Sequence, residues 1–184
     1  MSSDTLTVGR PAKELATAAL LLAAGIIIQS VEAMYLPPLM IPGAKLGLAN
    51  SITMLAIILF GGREVLTHVA LRATAVSLIT GTFLSTTYLY SLTGALLSAV
   101  MMLLVYRYLY GTLSYVGISI CGALVHNLTQ LTLSVFILGH IGIVSLLPWL
   151  LIFALVAGMG NGTLVNIVGP RLDDLGLSGS LGRI

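Results

Sequence analysis

The polar residues inside the apolar segments of this 184-residue chain are the ones whose chemistry needs an explanation. The run from Pro42 to Asn50 brings Lys45 and Asn50 into the opening turns of a strongly apolar segment, behind a stiff, proline-rich connection. Since a charge at a membrane helix is expensive, it marks a candidate functional residue. The alternative is that Lys45 extends to the lipid headgroups and Asn50 packs against a neighbouring helix.

A second charged residue, Arg72, lies in the middle of a later apolar segment. A position about ten residues into a helix lies ~15 Å along it, near the centre of a bilayer. Arg72 therefore has to point into a helix bundle and meet a carboxylate, carbonyl groups, water or an anionic ligand. Glu32 is the acidic residue predicted on the same side, so a purely structural Glu32–Arg72 pair is the alternative to a ligand site.

A third polar group consists of His126, Asn127 and Gln130. His126 and Gln130 are one helical turn apart on the same face, and Asn127 lies beside them. Three hydrogen-bonding side chains so close together in an apolar helix favour a position facing a ligand or a pore. With Ser91 from the preceding apolar segment, the predicted ligand-binding set is Glu32, Lys45, Asn50, Arg72, Ser91, His126, Asn127 and Gln130.

Composition indicates the class of protein that contains these residues. Hydrophobic residues make up 58% of the chain and charged residues 8%, and the mean hydropathy is +1.08. A water-soluble fold with this composition would lack the polar residues needed to cover its surface. The sequence therefore predicts an all-α integral membrane protein, with room for about six spans of ~20 residues and for no separate soluble catalytic domain.

The apolar segments and the basic residues together predict a topology. Six transmembrane helices are expected at about residues 13–33, 44–60, 65–83, 86–108, 113–138 and 143–168. A cytoplasmic N-terminus places nearly all basic residues inside and leaves Lys45 in the outer connections. Both termini are then cytoplasmic, and tails at 1–12 and 171–184 flank one transmembrane domain at 13–170 in the cytoplasmic membrane.

This topology puts the predicted ligand-binding residues in the outer half or the middle of the membrane. A shared polar cavity that opens outward keeps all of them away from lipid. This cavity would contain two cations, Lys45 and Arg72, and only one carboxylate, Glu32. Together with a titratable histidine, this excess of positive charge favours an anionic ligand such as a carboxylate or a phosphate.

Small residues form a stripe on the first span. Ala12, Ala16, Ala19 and Ala23 fall on one narrow face of a helix. Such a face lets another helix approach closely. It is either ordinary packing inside the bundle or a docking surface for a separate membrane subunit.

Several chemistries have no residues to perform them. The single cysteine, Cys121, lies in an apolar run, so neither a disulfide framework nor a cysteine metal site is expected. No aspartate-rich sequence that could hold magnesium is present, since Asp173 and Asp174 form a lone pair after the last span. There is no phosphate-binding loop of the nucleotide type and no basic run for nucleic acid. We expect a protein that is not an enzyme and needs no cofactor or metal.

Several of these motifs carry a resemblance to a known family. The runs at residues 42–50, 71–72, 81–83, 91–94 and 126–130 resemble the family labelled both "Gx transporter" and "heptaprenyl diphosphate synthase component I". The resemblance covers about residues 12–170. That family is similar to the substrate-binding S components of energy-coupling factor transporters. These are six-helix membrane proteins that capture a vitamin-like solute and work with a transmembrane coupling subunit and two ATPases.

The resemblance implies that the alanine stripe is the docking surface and that the loop before Lys45 covers the site. The expected function is a subunit that binds a small, anionic, vitamin-like or isoprenoid- or quinone-related solute for uptake. The alternative is a non-catalytic membrane partner in isoprenoid or quinone metabolism or in a redox complex.

Overall fold

The computed structural model describes the backbone of residues 5–35 and 47–174, and the side chains of residues 12–35 and 47–171. The regular elements in these ranges are all helical, which confirms the predicted all-α class for this part of the chain. Lys45 and the predicted covering loop before it lie outside the described residues. The helices are α1 (Thr5–Tyr35), α2 (Ala49–Leu59), α3 (Gly62–Ile79), α4 (Thr86–Leu109), α5 (Tyr115–Leu138), a 3-10 helix (Ile141–Leu146) and α6 (Leu147–Asp174).

The protein is a multi-pass membrane protein. Within the described residues, four helical stretches are long and apolar enough to cross a membrane, namely Ala12–Tyr35, Thr86–Leu109, Tyr115–Leu138 and Ile141–Arg171. Large apolar side chains such as Leu20, Phe136 and Trp149 point away from the bundle, as lipid contact requires. Helix α2 is apolar but, at about 16 Å, shorter than a ~30 Å hydrocarbon core. The count of six spans and the side of the termini therefore remain predictions.

Helix α2 lies at the centre of the bundle. All of its residues, from Ala49 to Leu59, are buried, and it contacts each of the other five α-helices. From Met54 to Leu59 its sequence is apolar on every side, which is the pattern of a helix surrounded by protein. Met54 and Ile57 pack with residues of α3, α4 and α5 in the main hydrophobic core. The first turn of this helix lies beside the polar cavity that is described in the next subsection.

Several helix boundaries differ from the predicted ones, including the start of α1, which is Thr5 and not residue 13. Helix α2 begins at Ala49 and not at residue 44, because Gly47 adopts a left-handed conformation with φ of 72° that a continuing helix cannot contain. Helix α3 ends at Ile79 and not at residue 83, since Gly81 is also left-handed, with φ of 68°. Helix α6 continues past the predicted end of the last span at residue 168, through Pro170, to Asp174. A proline removes one backbone hydrogen bond, and here the helix tolerates the loss.

Small residues bring α6 against α5 and α5 against α4. A Cβ atom at Gly158 would lie 2.5 Å from the Cα atom of Ile120, and one at Gly162 would meet the backbone of Val116. On the other side of α5, the Ser98 hydroxyl donates to the carbonyl of Gly122 at 2.8 Å. In a membrane, helices associate through close packing and interhelical hydrogen bonds. These glycines therefore set the spacing of the three helices.

The glycines of α6 allow a matched test of this packing. Gly162→Ala should destabilise the protein by about 1–3 kcal/mol, because the added methyl group has to push the backbone of α5 away. Gly160→Ala is the control, since a Cβ atom there has nothing within 4 Å and alanine favours a helix by ~1 kcal/mol over glycine. Thermal unfolding in detergent measures both variants. Equal stability of the two would show that α5 and α6 are not in close contact at Gly162.

Candidate functional site

A small cavity lies where the first five helices meet, beside the first turn of α2. Its volume is about 20 Å³. Five of the predicted ligand-binding residues line it, and each comes from a different helix: Glu32 of α1, Asn50 of α2, Arg72 of α3, Ser91 of α4 and His126 of α5. Gln29, Gly47, Ala49 and Ala95 complete the wall.

Arg72 is the charged centre of this cavity. Its side chain is only 1% exposed, and its Nη1 atom donates to the carbonyl of Ala49 at 2.7 Å. Its Nε atom is buried and has no hydrogen-bond partner among the described residues. Helix α1 passes this side chain at Gly25, where a Cβ atom would lie 2.8 Å from the Cδ atom of Arg72. A glycine is therefore needed at this position to let Arg72 reach α2.

Glu32 holds the segment that leads into α2. Its carboxylate accepts the backbone N–H of Gly47 at 2.6 Å, and it also attracts the guanidinium of Arg72 electrostatically. The carbonyl of Gly47 accepts the N–H of Asn50 at 2.9 Å and the side-chain amide of Asn161 at 3.0 Å. Gly47 thus ties α1, α2 and α6 together at the edge of the cavity.

Gln29 and Asn161 are absent from the predicted site, although both are buried and take part in it. The Nε2 atom of Gln29 donates to the hydroxyl of Ser91 at 3.1 Å, which joins α1 to α4. A usable signal for Gln29 was its spacing of three residues from Glu32, since such residues share a helix face. For Asn161 the signal was an amide inside the glycine-rich stretch of an apolar helix.

The polar residues of α5 do not all face the cavity. His126 faces the cavity and packs on Gly94, and the Gln130 amide lies 3.1 Å from its Nε2 atom. Gln130 is buried, and this contact orients the imidazole ring of His126. Asn127 points elsewhere, because its amide donates to the carbonyl of Leu150 on α6 at 2.9 Å. Of the predicted group, only His126 lines the cavity wall.

The alanine stripe lies on the outside of the bundle. Ala12, Ala16, Ala19 and Ala23 are all exposed. Their small side chains do not pack inside the described part of the protein, which was one of the two interpretations of this pattern. The stripe is thus an open surface of small residues on α1.

The cavity can hold a charge and hydrogen-bond a small polar group, but its present volume is that of about one water molecule. The described residues contain no cluster of three or more side chains that could hold a metal ion. The Glu32 and Arg72 charges offset each other, so the excess of positive charge expected from the sequence depends on Lys45.

Comparison with known protein families finds a match. The model of the protein family described as "Heptaprenyl diphosphate synthase component I" matches residues 21–168. This range contains every residue of the cavity wall and Asn161, but only Ala23 of the alanine stripe. No curated protein and no solved structure matches the chain.

A double-mutant cycle tests whether Glu32 and Arg72 depend on each other. Arg72→Gln should destabilise the protein by about 3–5 kcal/mol, because it leaves a buried carboxylate without its opposing charge. The Arg72→Gln/Glu32→Gln variant should recover part of this loss, with a coupling energy of about 0.5–3 kcal/mol. Thermal unfolding in detergent measures the four proteins.

Arg63→Gln is the control for this cycle, since Arg63 lies on the same helix but is exposed. Its stability should stay within about 0.5 kcal/mol of the original protein. Strictly additive losses in the double variant would contradict the coupling and assign the two charges to separate partners.

Proposed function

The chain belongs to the heptaprenyl diphosphate synthase component I family, also labelled Gx transporter, and from this membership and its cavity we propose that it is the substrate-binding subunit of a membrane transporter. In this proposal it resembles the S components of energy-coupling factor transporters. It takes up a small, anionic, vitamin-like or isoprenoid- or quinone-related solute. The observation that supports this most directly is the meeting of polar side chains from five helices at one cavity.

Polar side chains at membrane depth are expensive and commonly mark a substrate path. Most polar atoms of this site have partners among the described residues, but one atom of Gln29 and one of Arg72 have none there. The Oε1 atom of Gln29 and the Nε atom of Arg72 are buried without a hydrogen-bond partner in the described residues. Leaving a buried polar group unsatisfied costs about 1–3 kcal/mol. A bound solute that pairs with these two atoms removes that cost. The packing of the described side chains by itself does not remove it.

The charge of the site favours an anion. A guanidinium presents a forked set of donors that matches a carboxylate or a phosphate. The carboxylate of Glu32 is already engaged with the backbone of Gly47. The first turn of α2 also lies in the cavity wall, and the N-terminus of a helix favours negative charge. In this proposal Lys45 supplies a second cation.

The remaining predicted residues have supporting roles in the proposal. Asn50, Ser91 and His126 offer hydrogen bonds to the solute from three sides of the cavity. Gln130 orients His126, and Asn127 holds α6 against α5. A solute larger than a water molecule has to separate the walls, so the described state is one in which the site is closed around very little volume.

The energy for uptake is proposed to come from partner proteins. The sequence has no nucleotide-binding loop, so ATP hydrolysis falls to separate ATPases and the chain itself is not an enzyme. The exposed alanine stripe is the proposed contact with a transmembrane coupling subunit, because small residues let a partner helix approach closely. The proposal places a six-span domain at residues 13–170 in the cytoplasmic membrane, in contact with lipid, with both tails in the cytoplasm.

The description of the family favours a second candidate. In that case the chain is a non-catalytic membrane partner of an enzyme of isoprenoid or quinone metabolism, and the cavity contacts a lipid headgroup or another subunit. Proteins that purify with the chain distinguish the two. A coupling subunit and ATPases support transport, whereas a prenyltransferase supports the second candidate.

Native purification followed by mass spectrometry of bound small molecules tests the anion site. The original protein should carry an anionic compound, and Arg72→Lys should bind it roughly ten- to a hundredfold more weakly, because an ammonium cannot reproduce the forked donor set. Arg63→Lys, at an exposed position of the same helix, is the control and should bind like the original. Unchanged binding by a stable Arg72→Lys protein would remove the main support for an anionic solute.

Substitution of the alanine stripe tests docking. Ala16→Phe should abolish association with the coupling subunit in a co-purification assay, because the ring keeps the partner helix at a distance. The isolated variant should remain folded, since Ala16 is exposed. Val31→Phe is the control and should associate like the original protein, because Val31 is exposed on α1 about two turns beyond the stripe. Association of Ala16→Phe at the original level would show that the partner binds elsewhere.

A further inference from the structure

One wall residue offers a hydrogen-bond acceptor that nothing in the described protein uses. Gln29 is 5% exposed and lines the cavity between Glu32 of its own helix and Ser91 of α4. Its Nε2 atom is held by the Ser91 hydroxyl at 3.1 Å, so the amide cannot turn away without breaking this bond. The opposite end of the same amide, Oε1, is buried and has no partner there. An amide oxygen accepts hydrogen bonds and cannot donate them.

Arg72 supplies the complementary group. Its Nε–H is a buried donor without a partner in the described residues, and its side chain lines the same small cavity. The wall therefore contains an acceptor on Gln29 and a cationic donor on Arg72 that have no partner among the described residues. An occupant that satisfies both needs an anionic acceptor and, close to it, a donor of its own.

We infer that the solute carries an O–H or N–H donor next to its anionic group, and that Gln29 is the residue that selects for this donor. The inference rests on the proposed function, because it assumes that the cavity binds a solute. The class of compound is a carboxylate or a phosphate with a neighbouring hydroxyl or amino group. A simple carboxylate or alkyl phosphate satisfies Arg72 but leaves Gln29 unsatisfied.

The selectivity follows from burial. A site with a buried hydrogen-bonding group rejects an analogue that lacks the matching group, because the protein atom then stays unpaired. One unpaired hydrogen bond corresponds to roughly a ten- to hundredfold difference in affinity. Gln29 contributes no charge to the site. Its preference for the hydroxylated solute should therefore come only from the hydrogen bond that its Oε1 atom accepts.

Matched pairs of small anions test the inference on the unaltered protein in detergent. Binding of lactate is compared with that of propionate, glycolate with acetate, and glycerol 3-phosphate with propyl phosphate, by calorimetry or thermal shift. The first member of each carboxylate pair should bind roughly ten- to a hundredfold more tightly than the second. The phosphate pair should show the same preference if the site accepts that anion. If only the carboxylates or only the phosphates bind, that result identifies the anionic group.

Gln29→Met tests the residue, because methionine has a similar length and no amide. The variant should lose the preference, so that the two members of each pair bind with equal affinity. Ser30→Ala is the control: it removes a neighbouring buried hydroxyl that also has no partner in the described structure but does not line the cavity, so the preference should persist. If Gln29→Met does not fold, Gln29→Asn replaces it, since the shorter amide cannot span the same distance and should also lose the preference.

Two results overturn the inference in different ways. Equal affinity for both members of each pair, with both weakened by Arg72→Lys, would disprove the donor rule and leave the proposed anion site standing. No binding of any of these anions to the original protein would mean that the unmatched atoms serve a water molecule. The proposed function would then depend on the native purification alone.

Discussion

The burial of one guanidinium group is the constraint on which the rest of this structure depends. Arg72 is 1% exposed within a bundle that has an apolar exterior, and an uncompensated charge there is strongly unfavourable. The fold provides a carbonyl at the start of α2 and the opposing charge of Glu32 on α1. It also requires a glycine at residue 25, where α1 crosses the side chain. The relative placement of α1, α2 and α3 thus follows from the needs of a single side chain.

The central position of α2 explains why the polar site is small and sharply bounded. This helix is buried throughout and is apolar on all sides from Met54 onward, so its polar residues are confined to its beginning. At its beginning, Gly47 leaves helical geometry and its backbone is held by Glu32 of α1 and Asn161 of α6. The residues proposed to bind a solute therefore lie next to the contacts that hold the bundle together. A substitution in the site is therefore expected to disturb the packing of several helices at once.

The second half of the bundle is organised by small residues. Close contacts at Gly94, Gly122, Gly158 and Gly162 bring α4, α5 and α6 together, where the hydrophobic effect contributes little between helices surrounded by lipid. The same closeness positions His126, which packs on Gly94 and is supported by Gln130. In contrast, the small residues on the outer face of α1 pack against nothing within the described protein. The chain thus uses small residues for internal packing in one place and presents them on its surface in another.

The sequence alone determined the all-helical membrane class, because the chain has too few polar residues to cover the surface of a water-soluble fold. It also identified most of the cavity residues, because polar and charged side chains are costly in a membrane wherever they occur along a helix. It could not show that the Gln29 amide meets Ser91, 62 residues away, or that the Asn161 amide meets Gly47, 114 residues away. Spacing placed Asn127 beside the face of His126 but could not show that Asn127 meets α6 while His126 faces the cavity. Tertiary structure decided these points, because the partner of an amide depends on which distant helix lies beside it, and local spacing carries no information about that.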